Sequence, residues 1–98
     1  IEFSKLFGNE TVGGGSPFIA PDGAYLIFSR DGDLHVSFRS PGGDWTNAAR
    51  MAETINSLGS EMCPMVSPDG KYLFFLRDWK VFWVSVRPCL QQMKRQVD

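Results

Sequence analysis

The chain has 98 residues, enough for one domain. Its 43% apolar and 21% charged residues are ordinary for a soluble globular protein, and the 13% aromatic content suits a β-rich fold packed by large side chains. A net charge of −1 with scattered Lys and Arg argues against a nucleic-acid-binding surface, and no run approaches the roughly 18 apolar residues that span a bilayer.

Taken in order, Ile1–Phe7 alternates well enough for a strand over residues 2–7, and residues 9–16 form a turn-rich connector with three glycines. A short strand over 17–20 meets Pro21-Asp22-Gly23. Pro presets φ, Asp bonds its own backbone and Gly supplies a positive φ, which is a hairpin signal between apolar runs. Residues 25–30 are apolar on both alternating faces, as a strand covered on both sides would be. Asp31-Gly32-Asp33 turns the chain into 34–39, where Leu34, Val36 and Phe38 alternate with His35, Ser37 and Arg39. Pro41-Gly42-Gly43 marks a loop. Residues 48–53 have helix propensity, yet the surrounding pattern favours an outer strand there. Strands then follow at 63–67, 72–77 and 82–86, with Pro68-Asp69-Gly70 as the second hairpin turn. Phe82, Val84 and Val86 stand opposite Trp83, Ser85 and Arg87. Residues 90–97 read as a short helix or a frayed tail.

The second half of this list repeats the first. Pro64 follows Pro17, Asp69 follows Asp22 and Tyr72 follows Tyr25, each by 47 positions. Val84-Ser85 and Arg87 match Val36-Ser37 and Arg39 at an offset of 48, which places one extra residue near Trp79. Repeats of roughly 40–50 residues made of short strands point to β-propeller blades. The pattern Pro-x-x-Ser/Ala-Pro-Asp-Gly-x-Tyr-Leu-x-Phe, then Leu/Phe-x-Val-Ser-x-Arg, resembles the WD-like Pro-Asp-Gly repeat of TolB-like β-propellers. Gly43-Asp44-Trp45-Thr46, Ile55-Asn56-Ser57 and Glu61-x-x-Pro64 resemble the segment between blades in that family. The resemblance covers about residues 16–87. It implies an all-β chain of two antiparallel four-stranded blades, with blade one over about 17–54 and blade two over about 62–87. It also implies a binding or protein-interaction scaffold. The sequence does not fix the compartment, and the expectation is a soluble chain of the bacterial cytoplasm or periplasm.

Propellers hold about 4–8 blades, and two blades alone leave apolar faces and strand edges open. The expectation is therefore a homo-oligomer, with a trimer closing a six-bladed ring and strand 2–7 of a neighbouring subunit completing blade two. The alternative is that the 98 residues are part of a longer propeller.

No catalytic, cofactor or metal set emerges. His35 is the single histidine, so it makes no histidine cluster. Asp22 and Asp69 belong to their turns, and the acidic residues lack calcium-loop spacing. Gly13-Gly14-Gly15-Ser16 does not open a helix after a strand, so it is no phosphate cradle. Cys63 is expected as a small buried apolar residue, and a Cys63–Cys89 bond stays open. Trp45, Trp79 and Trp83 read first as packing anchors between blades, with stacking on a sugar ring or a peptide as the alternative. Arg30, Asn56, Glu61 and Arg77 fall near strand ends and are the candidate rim residues for a peptide or a small polar ligand. A hydrolase or lyase acting on a carbohydrate or peptide at a channel shared by subunits is the competing reading.

Overall fold

The computed structural model describes residues 15–57 and 59–97. The expected strand at 2–7 lies outside the described residues. Seven strands and one helix follow: β1 (Gly15–Ile19), β2 (Tyr25–Arg30), β3 (Asp33–Phe38), β4 (Ala49–Arg50), β5 (Glu61–Val66), β6 (Tyr72–Arg77), β7 (Lys80–Ser85) and α1 (Arg87–Val97). They form two antiparallel sheets, one ordered β1-β2-β3-β4 and the other β5-β6-β7.

The two sheets are built alike for a local reason. In the first Pro-Asp-Gly turn the Gly23 amide donates to the Ala20 carbonyl at 2.8 Å, and the Ala24 amide donates to Asp22 Oδ1 at 3.0 Å. In the second, the Gly70 amide donates to Ser67 at 2.8 Å and the Lys71 amide to Asp69 Oδ1 at 3.0 Å. Gly23 and Gly70 have φ of +72° and +76°, a region that only glycine occupies without strain. Before each turn the preceding strand, β1 or β5, carries a bulge, and the bulged residues Ser16 and Cys63 are both left-handed, at φ 49° and 54°.

The hairpin ends correct one expectation. Tyr25 pairs with Phe38 and Tyr72 with Ser85, so both partners keep the 47-residue offset. Asp31-Gly32 and Asp78-Trp79 are equivalent two-residue turns with positive φ at both positions, the type I′ pattern. No extra residue sits near Trp79. The slip falls after β7, where Val86 donates to Lys71 as Arg39 donates to Ala24, and Arg87 follows one position later. Both arginines still reach the same place. A Cβ on Gly23 would lie 3.6 Å from the Arg39 guanidinium, and one on Gly70 would lie 3.5 Å from that of Arg87.

One core joins the sheets. Ile27, Leu34, Val36 and Phe38 from the first meet Val66, Leu73, Phe75 and Val86 from the second, with Met51 and Ile55 from the connecting loop. On the far side of the first sheet, Leu26 and Phe28 form a second buried cluster under Trp45 and Ala48.

The expectation of four strands in each sheet holds for the first sheet alone. Its outer strand β4 is two residues long, so most of 45–54 runs as irregular chain. The second sheet has three described strands, because the residues after Val86 turn into α1. That helix begins at Arg87, earlier than residue 90, and Pro88 sits in its first turn, where no backbone donor is needed. Cys89, Leu90 and Met93 pack on the core, and Lys94 and Arg95 complement the C-terminal end of the helix dipole. No helix among the described residues is long and apolar enough to cross a membrane.

Candidate functional site

The four candidate rim residues lie at one end of the sheets. The β2–β3 turn, the β6–β7 turn and the loop before β5 meet there. A Cβ on Gly32 would lie 3.3 Å from Ser60 Oγ, and one on Gly59 would lie 3.1 Å from Asp78 Oδ2. Asn56 is buried in this loop. Its side-chain oxygen accepts from the Leu34 amide at 2.7 Å, and its nitrogen donates to the carbonyls of Leu34 and Met51 at 3.0 and 2.9 Å.

Glu61 opens β5 and is fully buried. Its carboxylate accepts from the Ser57 amide and hydroxyl, both at 2.8 Å, and from Arg77 Nε at 3.0 Å. Arg77 also donates to the Ile55 carbonyl at 2.7 Å. Its guanidinium lies 5.4 Å from the Phe75 ring centre and 4.7 Å from that of Phe82. This arrangement fastens the connecting loop to both sheets. The polar atoms of Asn56 and Glu61 are engaged in that fastening and are turned away from solvent. Arg30 flanks the β2–β3 turn at the same end, with its Nε 3.6 Å from Asp31 Oδ2.

The opposite end carries a cleft of 430 Å³ between the two Pro-Asp-Gly turns and α1. Asp22, Asp69, Tyr25 and Arg87 line it. The Ser67 hydroxyl and the Lys71 amide hold the Asp69 carboxyl below its usual range. Burial, with Asp22 nearby, pushes the Tyr25 phenol up. Arg87 is tied to the Asp69 carbonyl at 2.8 Å. These contacts are those of the turns themselves. Among the described residues no group of three His, Cys, Asp or Glu side chains is placed to hold a metal ion.

The third feature is a surface. The strand pairing puts Met65, Phe74 and Trp83 in one row, Leu76 beside Val81, and Tyr72 next to them, all on the face of the second sheet turned away from the core. Trp83 is 62% exposed, Val81 70% and Met65 57%. Tyr72 and Trp83 meet edge to face at 5.4 Å and, with Phe74, line a shallow hollow of 310 Å³. None of these six residues is charged. Sequence alternation places Trp83 opposite the core-facing Phe82, Val84 and Val86. It does not say whether anything covers that side, and among the described residues nothing does.

Cys63 is exposed rather than buried. Its left-handed bulge breaks the alternation that would have turned it inward, and its Sγ lies 3.7 Å from Ser16 Oγ of the first sheet. Cys63 and Cys89 are both free thiols.

Comparison with protein-family models, curated proteins and solved structures finds no match for this chain.

Proposed function

We propose that the chain is a non-enzymatic binding scaffold of the TolB-like propeller type, whose two sheets are consecutive blades and whose working form is a homo-oligomer. A trimer closes a six-bladed ring, and its rim and channel receive a peptide or a small polar ligand.

The observation that carries this reading is the repetition itself. Two sheets in one 47-residue register pack through a shared core, and the second ends in an uncovered aromatic face. Stacked repeats cover a face of this kind with a further unit. Light scattering on a sizing column tests the reading. A mass of three chains is expected. A folded species with the mass of one chain refutes it.

A further inference from the structure

We infer that the cleft between the first Pro-Asp-Gly turn, the loop at 40–44 and α1 binds a carboxylate, held by Arg39 and Lys94. The inference rests on the binding role just proposed and names the chemistry of the ligand, but the site is complete within one chain.

The cleft has a volume of 560 Å³ and adjoins the one between the two Pro-Asp-Gly turns, with Asp22 on the wall of both. Arg39 follows the end of β3, and Lys94 comes from the last turn of α1. Two segments far apart in sequence thus bring two cations to one cleft. Among the described residues neither cation forms an ion pair or a side-chain hydrogen bond. Asp22 is the one acid on the lining, and its Oδ1 accepts from the Ala24 amide at 3.0 Å. The cleft therefore keeps one positive charge in excess, in a chain whose net charge is −1. That excess suits a monoanion.

The repeat supplies an internal comparison. Arg87 is the counterpart of Arg39, and its guanidinium donates to the Asp69 carbonyl at 2.8 Å. Arg39 makes no such bond to the first turn. Its guanidinium lies instead over Trp45, 6.0 Å from the ring centre. A Cβ on Gly23 would lie 3.6 Å from one of its amino groups, and a Cβ on Gly43 would lie 3.8 Å from the other. Both glycines have positive φ, 72° and 92°, and neither brings a side chain over the guanidinium. Arg39 thus keeps its planar fork of donors for a ligand, and that fork matches a carboxylate through two parallel hydrogen bonds. Lys94 adds a point charge from the helix. Phe38 and Pro41 on the lining suit an apolar group beside the carboxylate, as at the last residue of a peptide. Capture of a terminal carboxylate is a recurring mode of peptide recognition.

The experiment titrates the full chain with three probes, followed by backbone amide NMR shifts. The probes are acetyl-glycyl-phenylalanine, its C-terminal amide, and benzoate. The acids are expected to shift the amides of residues 39–46 and of Lys94, and the peptide amide is expected to leave them in place. Arg39→Gln is expected to weaken acid binding about tenfold, the worth of one charge-assisted hydrogen bond. Lys94→Gln is expected to weaken it less. Arg95→Gln removes a neighbouring charge of the same helix that does not line the cleft, and it is expected to bind as the parent does. All three side chains are exposed, so circular dichroism spectra are expected to match the parent. Peptide binding tighter than benzoate assigns the site to a chain terminus, and equal binding assigns it to a free carboxylic acid. The inference is overturned if neither acid shifts these amides, if the peptide amide binds as well as the acid, or if Arg39→Gln binds unchanged. It is also overturned if Arg95→Gln weakens binding as much as Arg39→Gln does. Each of these results leaves the oligomeric reading standing. A chain with the mass of one copy that still binds the acid and not the amide removes the ring and leaves this site.

Discussion

Single residues set how firmly the two sheets are held together. Glu61 is buried with three donors around its carboxylate, and Arg77 is its ionic partner. Removing the acid strands a partly buried guanidinium and frees the Ser57 end of the loop. Glu61→Ala is expected to lower stability by about 3 kcal/mol, read as a shift in the urea midpoint, since breaking buried pairs typically costs about 3–5 kcal/mol. His35 sets a pH dependence. Burial beside Phe28 lowers its pKa, the Arg30 and Arg50 charges add to this, and the Asp33 carbonyl and carboxylate oppose it. The unfolded chain therefore takes up the proton first. Stability is complete above about pH 6.5, the ordinary value, and declines as the pH falls below it. His35→Gln is expected to flatten this decline between about pH 7 and 5 in denaturation midpoints.

At the scale of elements, the two hairpins show how far local chemistry reaches. Pro21-Asp22-Gly23 and Pro68-Asp69-Gly70 are readable from residue type alone, because each residue has its own conformational job. The β6–β7 turn is not. Asp78 and Trp79 both adopt positive φ, where Asp is tolerated and a bulky Trp is strained. The first copy has Gly32 at the position of Trp79. Trp79→Gly is expected to stabilise the chain by about 0.5–1 kcal/mol in chemical denaturation, as relief of strain outweighs the entropy that glycine gains when unfolded. The turn is nevertheless two residues long in both copies, because the ladder on either side fixes its length. The Val-Ser-x-Arg match at an offset of 48 reflects where the arginines end up, beside Gly23 and Gly70, and not the strand register. Residues 48–53 have helix propensity, but the open edge of β3 outranks it. They yield a two-residue strand that pairs with His35 and Val36.

At the scale of the whole molecule, the two ends of the stack differ. Leu26 and Phe28 at one end are buried, while the Tyr72–Trp83 face at the other is open. Burying apolar surface is worth roughly 25 cal/mol per Å², so a solvent-facing aromatic sheet is a standing source of association. On the self-associating reading proposed above, the denaturation midpoint is expected to rise with protein concentration, because association stabilises the folded state by mass action. A midpoint independent of concentration, measured over a hundredfold range, would contradict the self-associating reading.

The sequence by itself determined the three main strands of each sheet, their 47-residue spacing, the Pro-Asp-Gly turns and which residues of β3 and β7 share a face. These depend on neighbours a few positions away, and residue types encode them directly. The loops around Asn56, Glu61 and Arg77 meet at one end of the sheets. Tertiary structure alone decided what those residues do there. Whether a polar side chain at a strand end faces water or is enclosed depends on chain segments about 20 positions away, such as Leu34 for Asn56 and Ile55 for Arg77. It also decided that Cys63 faces solvent, because a bulge reverses the alternation, and that Trp83 is exposed, because α1 packs on the core side of the second sheet and not over that face.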